Sequence, residues 1–203
     1  MKKLTALLLA LLMMTSAALA EFDLDELCRT ADCEVREEPG TVDTVVRPVN
    51  QPYWGEVDAE GDLCMFVDYI HKIDYEATFL RVLLSISTFD PVGVDQVAFT
   101  VGGKTYTFSV QGEMYEYDGI YMEDIAFCLT DASLPFLKAI AQQKKDNPLE
   151  ITFLSYGEEA LTGRVIVPGA DAALLYDRYI DLGGKKQELK QYDELWPCEI
   201  TKN

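Results

Sequence analysis

The sequence predicts an α+β fold: a mainly antiparallel β-sheet or sandwich with one or two helices packed on it in the C-terminal half. Three observations lead there. Runs of apolar residues alternating with polar ones crowd the stretch from Thr44 to Leu129 and return from Leu149 to Val167, which is strand periodicity. Turn dipeptides, Gly102-Gly103 and Asp118-Gly119, separate neighbouring runs, so those runs pair as hairpins rather than through crossovers. The apolar spacing widens to a helical stripe only after Asp131, and strands followed by a helix, a hairpin and more helix imply α+β order.

The chain opens with Lys2-Lys3, an apolar run from Leu4 to Met14, and Ala18-Leu19-Ala20. A short positive end, an apolar centre and an A-x-A close describe a secretory signal peptide of bacterial type, residues 1–20. Glu21 and Phe22 follow, so no lipid-accepting cysteine stands at the cleavage point, and no later stretch approaches the ~20 apolar residues that a helical membrane span needs. Residues 21–43 read as an irregular acidic arm. Residues 44–203 read as one globular domain, with no repeat, low-complexity tract or linker to divide them.

Within that domain "TVVRPV" suggests an edge strand, because Pro48 cannot donate to a ladder. "LCMFVDYI" is a nearly continuous apolar run, fit for a buried strand, and Leu80, Val82, Leu84 and Ile86 mark the next strand with period two. "TVGGKTYTFS" ends like a phosphate-binding loop, yet the first glycine of a G-x-x-x-x-G-K-[ST] motif would fall on Ala98 and no helix pattern follows. Val97 and Phe99 alternate before the glycines and Tyr106 and Phe108 after them. A two-residue Gly-Gly turn opposes Phe99 to Tyr106 and Val97 to Phe108 on one face. "EDIAFCL" is a further strand. From Asp131, Leu134, Leu137, Ile140 and Ala141 form a helical stripe, with Asp131 or Ser133 as cap and Pro135 in the first turn. Two strands flank "SYGEE", Asp171 caps "AALLYDRYIDL", and "KKQELKQYDELW" suggests a last short helix.

The net charge is −18, from 35 acidic and 17 basic residues. Nucleic acid and anionic lipid bind through Lys and Arg that replace counterions, so this balance excludes both as partners. Cations, basic proteins and neutral glycans remain.

Five cysteines, Cys28, Cys33, Cys64, Cys128 and Cys198, are disulfide candidates if the chain is exported. An odd number leaves one thiol over or paired to another chain. With one histidine and no C-x-x-C, a zinc site of nitrogen and sulfur ligands has too few donors.

Two stretches suggest ligands. "EVDAEGDL" places Asp58, Glu60 and Asp62 close together, and calcium is the one cofactor to weigh; the stretch is not an EF-hand, because the twelfth position from Glu56 is Val67 rather than a bidentate acid. The competing account is a solvated acidic turn. "EMYEYDGIYME" interleaves Tyr115, Tyr117 and Tyr121 with acids at a hairpin tip, and Trp54 adds a fourth exposed-looking aromatic. Aromatics beside carboxylates suit sugars or cationic ligands; the competing account is an ordinary hairpin. His71 is the sole histidine and no G-x-S-x-G occurs, so catalysis of the Ser/His kind has no support. Cys64 lies seven residues before His71 in one strand, on the opposite face. The expectation is a secreted or periplasmic, non-enzymatic binding module for a protein or glycan, without a catalytic residue. The alternative is a hydrolase of envelope or extracellular polymers working through paired carboxylates, and a third reading is an envelope protein linked to a partner by its odd cysteine.

Overall fold

The computed structural model describes residues 33–37, 40–58, 61–72, 77–129, 133–143 and 148–181. The elements are β1 (Cys33–Glu37), β2 (Thr44–Pro48), β3 (Tyr53–Val57), β4 (Gly61–Lys72), β5 (Ala77–Thr88), β6 (Gln96–Val101), β7 (Lys104–Ser109), β8 (Gln111–Tyr117), β9 (Ile120–Leu129), α1 (Leu134–Ala141), β10 (Leu149–Ser155), β11 (Glu158–Val165) and α2 (Gly169–Asp181). The fold is α+β, with a mainly antiparallel sheet and two helices among the described residues. Among the described residues no helix is long and apolar enough to cross a membrane.

All eleven strands join one sheet in the order β7-β6-β10-β11-β3-β4-β5-β9-β8. β4 is long enough to take two neighbours on one flank: β3 along Gly61–Met65 and β2 along Tyr69–His71, with β1 outside β2. β7 and β8 end the path on opposite sides, yet only Val110 separates them in the chain. The sheet therefore curls as a half-barrel, which brings the chain-adjacent ends of β7 and β8 together at Val110. Phe108 of β7 stacks on Phe127 of β9 at 4.6 Å between ring centroids, across the concave side.

That concave side is the core. Leu63, Met65, Val67 and Tyr69 of β4 and Leu80, Val82, Leu84 and Ile86 of β5 alternate inward and are buried. α1 closes the curl by inserting Phe136, whose ring lies 4.7 Å from Phe99, 5.3 Å from Phe108 and 5.6 Å from Tyr106. Burying such a ring contributes about 1.5–3 kcal/mol. α2 packs beside α1 and is tied to the sheet by two phenols: Tyr53 donates to the Asp171 carboxylate at 2.8 Å and Tyr69 to the Leu175 carbonyl at 2.5 Å. The Gln51 side chain donates to Tyr53 at 3.3 Å and accepts from the Val67 amide at 3.0 Å.

The β6–β7 hairpin has the expected register, Val97 against Phe108 and Phe99 against Tyr106, and Gly102 and Gly103 have φ of 58° and 77°. Asp118-Gly119 makes the β8–β9 turn with φ of 53° and 79°. Elsewhere the chain differs from expectation. The second half of the acidic arm is not irregular: residues 33–37 form β1 and pair with every residue of β2. β2 is consequently not an edge strand; Pro48 is tolerated because it lies at the end of the ladder, opposite Cys33. The ladders join the strands into one curled sheet rather than two facing ones. Ser133 occupies the cap position of α1 without a side-chain cap hydrogen bond, while Asp131 lies outside the described residues. α2 begins at Gly169, so Asp171 sits inside the first turn and its carboxylate serves Tyr53 instead of a cap. The suggested last helix, from Lys185 to Trp196, and the expected signal peptide, residues 1–20, also lie outside the described residues.

Candidate functional site

The convex face of the sheet carries the aromatic residues singled out above. Three ladders set one transverse row: Trp54 of β3 stands opposite Cys64 of β4, Cys64 opposite Ser85 of β5, and Ser85 opposite Asp124 of β9. Glu113 of β8 continues the row. The next row runs Glu56, Asp62, Ser87, Met122 and Tyr115 by the same ladders. Tyr117 and Ile120 finish the face at the hairpin tip. Side chains directly opposite in neighbouring strands share a face, so Trp54, Tyr115 and Tyr117 all point outward. With strands ~4.8 Å apart, Trp54 and Tyr115 are separated by four strand spacings, about 19 Å measured along the sheet, and by a further ~7 Å along the strands between adjacent rows.

Trp54 is 69% exposed and Tyr117 74%, large values for such apolar surface. Tyr115 is half-exposed and donates to the Asp124 carboxylate at 3.3 Å. Partial burial, then the negative charge of Asp124, raise its phenol pKa. Within these two rows there are four carboxylates, Glu56, Asp62, Glu113 and Asp124, and neither lysine nor arginine; the arginines of the same face lie outside the rows, Arg81 buried against Asp68 further along β5 and Arg164 opposite Glu56 on β11. The face is thus aromatic and acidic, and open rather than concave.

Tyr121 does not join it. It pairs with Glu116 and Thr88 and projects to the concave side, like Glu123 and Ile125. Adjacent residues in a strand face opposite ways: Ile120, directly across the turn from Tyr117, shares its outer face, and Tyr121, the next residue, faces the other way. Glu123, four per cent exposed, is a residue that sequence reasoning missed. Its carboxylate accepts from the Val94 amide at 2.6 Å and the Gly93 amide at 3.1 Å. Gly112 makes room for it: a Cβ there would meet the carboxylate at 2.8 Å. No local pattern distinguishes this acid from its exposed neighbours in "EMYEYDGIYME".

The calcium candidates are divided. Asp58 spends its carboxylate on Thr162, accepting from the hydroxyl at 2.6 Å and the amide at 3.1 Å, and those hydrogen bonds hold its pKa below the usual carboxylate value. Asp62 stands opposite Glu56 on the outer face, and Glu60 lies outside the described residues. Among the described residues no three acids, histidines or cysteines gather as a metal site.

Cys33, Cys64 and Cys128 are not joined to one another by a disulfide, so the expected bridges do not occur among them. Cys64 and Cys128 lie two strands apart and four residues out of step, far beyond the ~7 Å between Cα atoms that a disulfide spans. Cys28 and Cys198 lie outside the described residues. Burial, then Asp124, push the Cys64 thiol pKa up, which keeps it protonated and a poor nucleophile.

No protein-family model, curated protein or solved structure matches the chain.

Proposed function

We propose that the protein is an exported, non-enzymatic binding module, and that the outer face of β3-β4-β5-β9-β8 is its docking surface. The observation that carries this is the shared face of Trp54, Tyr115 and Tyr117, exposed together among four carboxylates without a cation between them. Solvent-exposed tryptophan and tyrosine at this density supply rigid contact area at small entropic cost, and they are the residue types that dominate binding hot spots. The charge selects the occupant: a protein segment bearing lysine or arginine, whose cations meet both ring faces and carboxylates. Export is supported by the leader at residues 1–20 alone. The hydrolase reading gains no observation, because the paired acids of this face, Glu56 with Asp62 and Glu113 with Asp124, stand on open sheet with nothing to exclude water from a reacting bond.

The test is capture of an array of arginine- and lysine-bearing peptides, run beside an array of neutral glycans. Wild type should retain the basic peptides. The variant Trp54→Ala/Tyr115→Ala/Tyr117→Ala should bind at least ~30-fold more weakly, since hot-spot aromatics contribute roughly 1–2 kcal/mol or more each. Tyr121→Ala, on the concave side, should bind as wild type does. Equal capture by the triple variant would sink the assignment of the face, and retention of glycans alone would overturn the choice of partner.

A further inference from the structure

A second surface has the opposite character. Between the β6–β7 turn and α1 lies a cleft of about 590 Å³, lined by Lys104 and Tyr106 from the hairpin and by Pro135, Lys138, Gln142 and Gln143 from the helix and its end, among others. That volume falls in the range of small-molecule sites, roughly 300–1,000 Å³. In a chain with 35 acidic residues, no carboxylate lines it among the described residues.

The placement of the cations makes the contrast sharper. Arg36 pairs with Glu34, Arg47 and Arg81 with Asp68, and Arg164 with Glu150. Lys104 and Lys138 form no ion pair among the described residues, and they come to the same cleft from different elements. Lys138 sits in the last turn of α1, where a cation complements the exposed carbonyls of the helix end, and its ammonium lies 5.8 Å from the Tyr176 ring centroid. That role needs one lysine on the helix. It gives no account of Lys104, which arrives from the hairpin. Tyr106, held against Phe136 at 5.6 Å, and Pro135 offer apolar wall beside the ammonium groups, and the two glutamine amides offer neutral donors and acceptors.

We propose that this cleft binds a small organic anion, its carboxylate between Lys104 and Lys138 and its apolar body against Tyr106 and Pro135. A polyanion is disfavoured by the chain's net charge of −18, whereas a small carboxylate fits within the cleft. This site is distinct from the outer face and does not depend on how that face is used.

The test uses the full folded chain, labelled with nitrogen-15, and follows amide shifts during titration with benzoate, with benzamide as its uncharged analogue. Benzoate should give saturable shifts at Lys104, Tyr106, Gln142 and Gln143, and benzamide should not. Lys104→Gln/Lys138→Gln should weaken the benzoate response about tenfold, the worth of a charge-assisted hydrogen bond or two in an open site, with the remaining spectrum unchanged because both side chains are exposed. Absence of saturable shifts with benzoate overturns the site. So do equal responses to benzamide, or an unaltered benzoate response in the double variant.

Discussion

Asp68 is fully buried, and its carboxylate meets two arginines. Arg81 donates to it through Nε and a terminal nitrogen, each at 3.0 Å, and Arg47 reaches it at 3.1 Å while lying over the Phe66 ring at 4.6 Å from the centroid. The two-pronged Arg81 contact is the geometry in which guanidinium and carboxylate bind most strongly. Removing one member of such a buried set is costly, because the charges left behind have lost both water and partner. Asp68→Asn preserves the shape and removes the charge, so it should cost about 3–5 kcal/mol in urea unfolding. Arg36→Gln, which breaks the exposed pair with Glu34, should cost under ~1 kcal/mol. Similar losses for both variants would show that the Asp68 cluster contributes no more than a surface pair.

Helix α2 is fastened to the sheet by side chains rather than by its own sequence. Tyr53 must keep its proton to donate to Asp171, and burial, then the charge of Asp171 and the hydrogen bond to it, raise the Tyr53 pKa well above its ordinary 10.0. A raised folded pKa means that the native state holds the proton more tightly than the unfolded chain. The stabilisation is complete below about pH 10 and is lost as pH climbs from there toward the folded pKa. Tyr53→Phe should therefore be less stable than wild type at neutral pH, by about 1–2 kcal/mol, and the gap should close between roughly pH 10 and 11.5 as the wild type declines. The check is the urea midpoint of both proteins across that range; a constant gap would mean that the phenol does not act through its proton. Little of this attachment is legible in the sequence, where Asp171 looks like a cap, because its partner lies 118 residues away. The contrast with the β6–β7 hairpin is physical. There the Gly-Gly turn and the flanking alternation fix the register locally, so residues 97–108 could be paired from sequence alone. β1 shows no such signal: "CEVRE" has one valine among charged residues, and only β2 makes it a strand. The candidate site divides the same way. Trp54, Tyr115 and Tyr117 could be named from composition, but their common face depends on three long-range ladders, and the same ladders turn Tyr121 to the other side.

At the scale of the whole molecule, the curled sheet sets two surfaces of different sign on a strongly acidic body. The two outer rows from Trp54 to Tyr115 hold four carboxylates and no cation, the described lining of the cleft beside α1 holds two lysines and no carboxylate, and the chain as a whole carries −18. Like charges on a compact surface repel one another more than in the expanded chain, so the net charge opposes folding. Salt shortens the reach of that repulsion, to ~10 Å at 0.1 M and less beyond. The buried Asp68 cluster is screened far less, and exposed pairs such as Arg164–Glu150, at 3.7 Å, have little stabilisation to lose. Raising sodium chloride from about 20 to 300 mM should therefore raise the melting temperature by a few degrees, corresponding to roughly 1 kcal/mol. The same salt should weaken capture of basic peptides on the outer face, because that attraction is between exposed charges. Scanning calorimetry and peptide capture over one salt series separate the two effects: stability rises while binding falls. A melting temperature that falls with salt would mean that attractive pairs outweigh the acidic excess. Capture that is indifferent to salt would mean that the rings, and not the carboxylates, hold the partner.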